Sequence, residues 1–246
     1  MKTLIYITIA YIVISIMLNQ IGTLNETTLH KDLKWLYSES NDQIERKVGK
    51  YIVDIVRDDL LIEIQTTNFS KIRNKLGILL ENYKVKLVHP IIQDNWIINL
   101  DTQLNKNIRR RLSPVHCSYI DIFEELVRIP KMISHPNFTI EIILVQIEEI
   151  REKSDRESWR RKSWRIYDKK LLKVIESKKF NNPIDFLYFI PKNIDIPFTN
   201  NELAKLIKRP LSLAQKLSYC LRKMEVLKTI GKNGNTLIFD FNNDKM

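Results

Sequence analysis

The sequence has few cysteines, glycines and prolines. Cys117 and Cys220 are its two cysteines, too few for a disulfide framework and without zinc-site spacing, so a reducing, cytoplasmic location is expected. The five glycines and eight prolines argue against long flexible linkers. Hydrophobic residues make up 44% and charged residues 28%, proportions that are typical of a globular protein.

Acidic residues are also in deficit. The chain has 40 Lys and Arg residues against 29 Asp and Glu, which gives a formal net charge of +11. A surplus this large favours a polyanionic partner, either nucleic acid or an anionic membrane face. The alternative is a coding bias towards lysine, which would carry no functional meaning.

The long apolar run of the sequence is residues 4–18. It is shorter than the roughly 20 residues that span a bilayer, and the Asn19-Gln20-Ile21-Gly22 stretch is a poor cleavage site for a signal peptide. Three interpretations of residues 1–21 stay open. They are a membrane helix or anchor that bears a cytoplasmic domain, an over-extended start upstream of Met17, and a signal peptide.

Hydrophobic patterns predict an α/β (α+β) fold. Residues 25–38 have helical periodicity, three short β-rich runs follow, residues 69–83 form a second helix, and residues 84–92 a fourth strand, with 95–100 as a candidate fifth. Beyond residue 101 the pattern predicts a mainly helical region, with a basic stretch, a strand over residues 138–150 and a helix over residues 168–180. We expect one domain over residues 22–155 and another over 165–246.

The segment "YIVDIVRDDLLIEIQT" predicts a hairpin with two buried acids. If Asp58-Asp59 is a two-residue turn, Asp54 lies directly opposite Glu63, with Cβ atoms roughly 4.5–5.5 Å apart. Gln65 then shares the face of Glu63. A second tight turn at Gly49-Lys50 would bring Glu45 opposite Asp54.

Like charges that face each other in this way destabilise a sheet unless a cation lies between them. Carboxylate oxygens at this spacing suit Mg²⁺ or Mn²⁺. The alternative is a sheet edge with both acids solvated, and the apolar flanks "YIV" and "LLI" argue against it. The hairpin therefore predicts a metal site.

Two short motifs within this hairpin, "VD" and, nine residues on, "EIQ", resemble the PD-(D/E)XK nuclease superfamily. The resemblance covers residues 25–92 and implies a restriction-endonuclease-like αβββαβ core. It implies that Asp54 and Glu63 bind Mg²⁺ and that Gln65 replaces the lysine that orients the attacking water. Glu26 would match the first-helix acid of some members.

Two departures accompany this resemblance. Val53 stands where the motif has proline, and Gln65 supplies no positive charge, which Lys71 or Lys75 would have to provide from the second helix. The first eighty or so residues after Met17 also resemble an uncharacterised prokaryotic domain family, for which no activity is implied.

Residues 199–241 resemble a winged helix, with a short helix, a longer helix and a hairpin turning at Asn233-Gly234. The resemblance implies that the longer helix enters the major groove of DNA. Its candidate nucleic-acid-binding residues are Arg209, Lys216, Arg222, Lys223 and Lys232. A winged helix that binds protein is the alternative.

Residues 151–170 interleave basic and aromatic side chains, a pattern that suits phosphate contact with base stacking. The candidates here are Arg160, Arg161, Lys162 and Arg165. The alternative is a solvated helix whose tryptophans pack on a core.

Together these features predict a Mg²⁺-dependent endonuclease that acts on DNA. The alternative is a non-catalytic DNA-binding protein with a degenerate nuclease fold, and either version is compatible with a membrane tether. The sequence leaves the oligomeric state open, a homodimer included.

Overall fold

One large mixed β-sheet organises the described chain, which comprises residues 27–101, 106–153 and 164–245 of a computed structural model. The strands of this sheet are β1 (Gln43–Val48), β2 (Tyr51–Arg57), β3 (Leu60–Ile64), β4 (Lys84–Asp101), β5 (Lys106–Leu112), β6 (Phe138–Lys153) and β7 (Trp164–Phe180). They lie in the order β1-β2-β3-β4-β6-β7. β4 runs parallel to β3 and β6, whereas the other neighbours are antiparallel.

Strand β4 changes its neighbour along its length. Residues Lys84–Val88 pair with β3, and residues Trp96–Asp101 pair with β5 on the same side. The sheet is therefore split beyond the carboxyl end of β3. Ligands of α/β sheets commonly bind at such a point, outside the carboxyl end of a strand whose neighbours diverge.

Helix α1 (Thr28–Tyr37) covers one face of the large sheet, because its apolar residues recur at helical spacing. Leu29 and Leu33 are almost fully buried and pack with Ile55 and Ile62 of the hairpin. Two polar contacts fix the ends of this helix. Asp168 of β7 accepts hydrogen bonds from the amide and hydroxyl of Thr28, and Arg57 donates to the Tyr37 carbonyl.

The opposite face carries the larger core. Helix α2 (Arg73–Leu80) connects β3 to β4 there, and the one-turn helix α3 (Phe123–Leu126) follows the 3₁₀ turn Tyr119–Ile122. Further 3₁₀ turns lie at Met132–Ser134, Pro183–Phe189 and Asn243–Lys245. The apolar side chains of these elements share one cluster with the C-terminal helices.

The C-terminal region is a helix pair with a small sheet. Helices α4 (Asn200–Ile207) and α5 (Leu211–Lys223) precede a hairpin, and the strands are β8 (Phe198–Thr199), β9 (Leu227–Asn233) and β10 (Thr236–Phe241) in the order β8-β10-β9. Thr199 begins α4 because its hydroxyl and the Glu202 carboxylate form a capping box.

The predicted mixed α and β class is confirmed, and so is the order of helix, three strands, helix and strand. The candidate fifth strand is the continuation of β4. The predicted tight turn of the C-terminal hairpin is displaced by one residue, because Asn233 pairs with Thr236 and the turn is Gly234-Asn235. Gly234 has a φ of +58°, a conformation that glycine adopts at little cost.

The prediction of a mainly helical region between residue 101 and the C-terminal helices is wrong, whereas the strand predicted over residues 138–150 is confirmed as part of β6. Residues 164–180 form the edge strand β7, which pairs with β6, and the helix predicted over residues 168–180 is absent from it. Bulges between the two strands break the alternation of β7, so that Leu171 and Val174, three residues apart, both pack on the α1 side. Apolar residues three positions apart are also typical of the buried face of a helix, which explains the wrong prediction.

Within the ranges that the structure describes, no helix is long and apolar enough to cross a membrane. The apolar residues 4–18 lie outside those ranges, and so their three interpretations stay predictions.

Substitution of two isoleucines of the hairpin tests which of its positions are buried. Ile62 of β3 is fully buried beneath α1, whereas Ile52 of β2 is 64% exposed. Ile62→Ala should lower the free energy of unfolding by about 2–5 kcal/mol, because it leaves a cavity. Ile52→Ala should change it by no more than about 0.5 kcal/mol. Urea unfolding measures both, and equal losses would contradict the assigned faces.

Candidate active site

The hairpin of β2 and β3 has the predicted register. Arg57 pairs with Leu60, and Ile55 pairs with Ile62. One step further, this register sets Asp54 opposite Glu63. The strands part there, and the Asp54 carboxylate accepts a hydrogen bond of 2.8 Å from the backbone amide of Ile64. The carboxylate thus takes the place of a backbone acceptor at the end of the ladder.

A histidine and a lysine of helix α1 contact the carboxylate of Asp54. Nε2 of His30 is 3.3 Å from its Oδ2, and Nζ of Lys34 is 4.0 Å from its Oδ1. Burial alone would raise the pKa of Asp54. The hydrogen bonds from His30 and the Ile64 amide, together with the charge of Lys34, outweigh burial and lower this pKa. Asp54 is therefore ionised at neutral pH.

Glu63 has the opposite balance. It is 3% exposed, and its Oε1 lies 2.5 Å from Nζ of Lys75 in α2. Burial and the neighbouring charge of Asp54 raise the pKa of Glu63 to about 7, although Lys75 opposes the shift. Two carboxyl groups in one site with opposite pKa shifts are a mark of functional sites.

Glu45 joins this cluster through a lysine. The register of β1 and β2 pairs Val48 with Tyr51 across the predicted Gly49-Lys50 turn. Nζ of the buried Lys34 lies 2.7 Å from Oε1 of Glu45, on the same side as Asp54. Lys34 therefore links the two carboxylates.

Gln65 does not face the two acids. Its side-chain amide donates to the carbonyl of Thr67 in the following loop, with a longer contact to Asn68. Its backbone carbonyl contacts Nδ1 of the buried His89 at 2.6 Å. Gln65 consequently fixes the loop after β3, and the nearest positive charge to Glu63 is that of Lys75.

Sequence reasoning missed His30 and Lys34. They are four residues apart, so they lie on one face of α1 and reach the same carboxylate. That spacing was the available signal. Glu26, the predicted first-helix acid, lies outside the described residues.

The chemistry of Asp54 and Glu63 fits a hard divalent cation. Mg²⁺ is commonly held by one or two carboxylates while keeping several waters. Within the described ranges no three His, Cys, Asp or Glu side chains converge as an all-protein metal cage would. The residues present thus fit a Mg²⁺ ion held by two carboxylates and water, and do not fit a closed site such as that of structural zinc.

The predicted nucleic-acid-binding residues differ in their surroundings. Arg165, Arg209 and Lys216 form ion pairs with Glu152, Asp121 and Glu124 respectively. Lys71, Lys223 and Lys232 are exposed, and Arg222 lies over the Phe239 ring at 5.6 Å. Arg160, Arg161 and Lys162 lie outside the described residues. Helix α5 packs against α3, so the predicted groove-reading face is partly engaged within the chain.

Residues 27–181 match the model of a family described as a domain of unknown function, DUF8091. The chain belongs to the DUF8091 family. The DUF8091 region contains the whole large sheet and both carboxylates, and it ends before the C-terminal helix pair.

The chain is also similar to a protein of Treponema pallidum. An uncharacterized protein of Treponema pallidum (strain Nichols) is 30% identical over 163 residues, which is 66% of this chain and 64% of the relative. The match thus spans just under two thirds of the relative's length. No solved structure matches the chain.

The raised pKa of Glu63 predicts a pH-dependent stability. A carboxyl whose folded-state pKa of about 7 exceeds its usual 4.5 stabilises the fold below pH 4.5, and this contribution is lost as the pH rises to about 7. Glu63→Gln should remove that slope, so the variant gains stability relative to the wild type as the pH rises through this window. Urea unfolding as a function of pH measures it.

The exposed Glu81, at the end of α2, provides the control. Glu81→Gln should keep the wild-type slope. A Glu63→Gln curve that runs parallel to the wild type would show that the Glu63 carboxyl is not perturbed.

Proposed function

We propose that the protein is a Mg²⁺- or Mn²⁺-dependent nuclease that hydrolyses phosphodiester bonds of DNA. The observation that carries the proposal is the pair of the partly buried Asp54 and the buried Glu63, with Lys75 in contact with Glu63. The resemblance of "VD" and "EIQ" to PD-(D/E)XK motifs supports it, as does the order of elements around the hairpin. The net charge of +11 favours a polyanionic substrate.

Asp54 and Glu63 would hold the divalent cation. When bound, the cation supplies Lewis acidity towards a phosphodiester oxygen. The hydrogen bond from the Ile64 amide fixes one oxygen of Asp54, and His30 contacts the same oxygen. The carboxylate of Asp54 is therefore held in one orientation before a substrate arrives, which lowers the cost of assembling the site.

Lys75 would take the role of the lysine that the motif lacks. It reaches Glu63 from α2 rather than from β3, and it also contacts the carbonyl of Ile52 in β2. An ammonium group in this position can hold a water for attack and stabilise charge that develops on the phosphate. Gln65 would have a structural role, because its side chain is turned to the Thr67 carbonyl.

The C-terminal region would serve as a winged-helix-like module for DNA. Its helix pair and hairpin have the appropriate order, and Lys232 and Lys223 are exposed. The contacts of Arg209 and Lys216 with Asp121 and Glu124 would orient this module on the nuclease region.

A second candidate function is DNA binding without catalysis. It is favoured by Lys34 and Lys75, whose ammonium groups already compensate the charge of the carboxylates. A degenerate nuclease could keep such a pair without any metal. In that case the protein binds DNA and leaves it uncut.

Cleavage assays with Mg²⁺ or Mn²⁺ on linear and branched DNA test the proposal. Asp54→Asn should lower the cleavage rate by at least about 100-fold, because it removes a charged metal ligand. The matched control is Asp59→Asn, a change of the same chemistry at the exposed turn of the same hairpin. It should cleave at the wild-type rate.

Cleavage that persists unchanged in Asp54→Asn would refute the site. Retained DNA binding without cleavage by the wild type would instead establish the non-catalytic alternative.

The same cleavage assay distinguishes the role of Lys75 from that of Gln65. Lys75→Gln should reduce the rate by about 100-fold at saturating DNA, since it removes a charged group from the site. Gln65→Ala should leave the rate within a few fold. The reverse order would show that Gln65 holds the water, as the motif alone implies.

A further inference from the structure

A basic cleft lies between helix α2, the segment that follows α3, and helix α5. Its volume is about 580 Å³, and four cationic side chains line it without any acidic one. They come from separate elements: Arg73 from α2, Arg128 and Lys131 from the segment after α3, and Lys223 from α5. All four are exposed. Like charges repel each other, so a cluster of cations is most readily retained where an anion binds between them.

The cleft is joined to the candidate active site by one loop. Glu125 accepts a hydrogen bond of 2.9 Å from the Phe69 amide and contacts Nε of Arg128 at 3.4 Å. Arg128 also reaches the Ser70 hydroxyl. The loop that leaves β3 at Gln65 therefore ends at the wall of the cleft.

Helix α2 separates the cleft from the active site. It carries Lys75 to Glu63 and Arg73 to the cleft. Arg73 and Lys75 are two residues apart in α2. In a helix, two such residues point about 200° apart and lie about 3 Å apart along the axis. A nucleic-acid strand that leaves the carboxylates thus meets the cleft after passing the N-terminal end of α2, where Lys71 is exposed.

The remaining lining of the cleft suits an unpaired base. The apolar part of its lining consists of Val127, Ile129, Pro130, Met132 and Tyr219. Nζ of Lys223 lies 5.7 Å from the Tyr219 ring. Single-stranded nucleic acid is bound by such combinations of cations with an aromatic platform. A duplex keeps its bases stacked inside, and a cleft of this volume has the size of a small-molecule site rather than of a duplex groove.

We infer that this cleft binds a nucleotide of single-stranded DNA, with its phosphates on Arg73, Arg128 and Lys131 and its base against Tyr219. The inference rests on the proposed function and deepens it, because it assigns single-stranded or frayed DNA as the substrate class. The cleft would hold the strand beyond the scissile phosphate.

Fluorescence anisotropy with a labelled oligothymidylate, in EDTA, tests binding without cleavage. The double variant Arg73→Ala/Lys131→Ala should bind roughly tenfold or more weakly. The slope of log K against log salt should become shallower by about 1.4, since two phosphate contacts are lost from a single strand. The control is Lys179→Ala/Lys192→Ala, which removes the same charge from exposed positions outside the cleft. It should keep the wild-type affinity and slope.

A second variant tests the base contact. Tyr219→Leu should weaken binding to the oligothymidylate roughly fivefold or more and leave the salt slope unchanged. Thermal unfolding of each variant verifies that it is folded.

Three results would overturn the inference: equal losses in the two double variants, no binding of single-stranded DNA by the wild type, and an equal loss of duplex binding in the cleft variant. Failure of the nuclease proposal is distinguishable. In that case the wild type leaves DNA uncut with Mg²⁺ or Mn²⁺, while the cleft variant still loses oligothymidylate binding.

Discussion

The burial of Glu63 beside Asp54 is the constraint on which the arrangement of this site depends. Two carboxylates at the end of the hairpin repel each other, and polar side chains from two helices offset this repulsion. Lys34 and His30 reach Asp54 from one face of the sheet, and Lys75 reaches Glu63 from α2. Each acid is hence stabilised by a different element, and their pKa values shift in opposite directions.

The sheet places Asp54 and Glu63 close to the point where its strands diverge. β4 continues past the end of β3 and pairs with β5, so that a split opens at the carboxyl end of β3. The loop beyond β3 is held by Gln65, by the buried His89 and by the contact of Phe69 with Glu125. It leads directly to the basic cleft. Acids that bind metal and cations that bind phosphate would thus lie along one path.

Local patterns predict the hairpin and its register, because apolar runs with polar turns specify which residues face each other. They predict both carboxylates for the same reason. The sequence of β7 wrongly predicts a helix, because bulges in this strand place Leu171 and Val174, three residues apart, on one face. The sequence names Lys75 only as one of two candidates with Lys71. The contacts of His30 and Lys34 with Asp54, and the convergence of basic residues in one cleft, depend on how helices cross the sheet. That crossing is set by long-range packing, which a single sequence encodes only weakly.

Titration of Mn²⁺ into the full chain by isothermal calorimetry tests the central claim most directly, since it depends on neither a DNA substrate nor turnover. We expect one Mn²⁺ site, which is lost in Glu63→Gln and retained in Glu141→Gln, a variant that removes another buried carboxylate from the same sheet. Binding should also release a proton near neutral pH, because the Glu63 carboxyl must ionise. Mn²⁺ binding of equal strength in the wild type and Glu63→Gln, or no binding by the wild type, would show that Asp54 and Glu63 do not form a metal site.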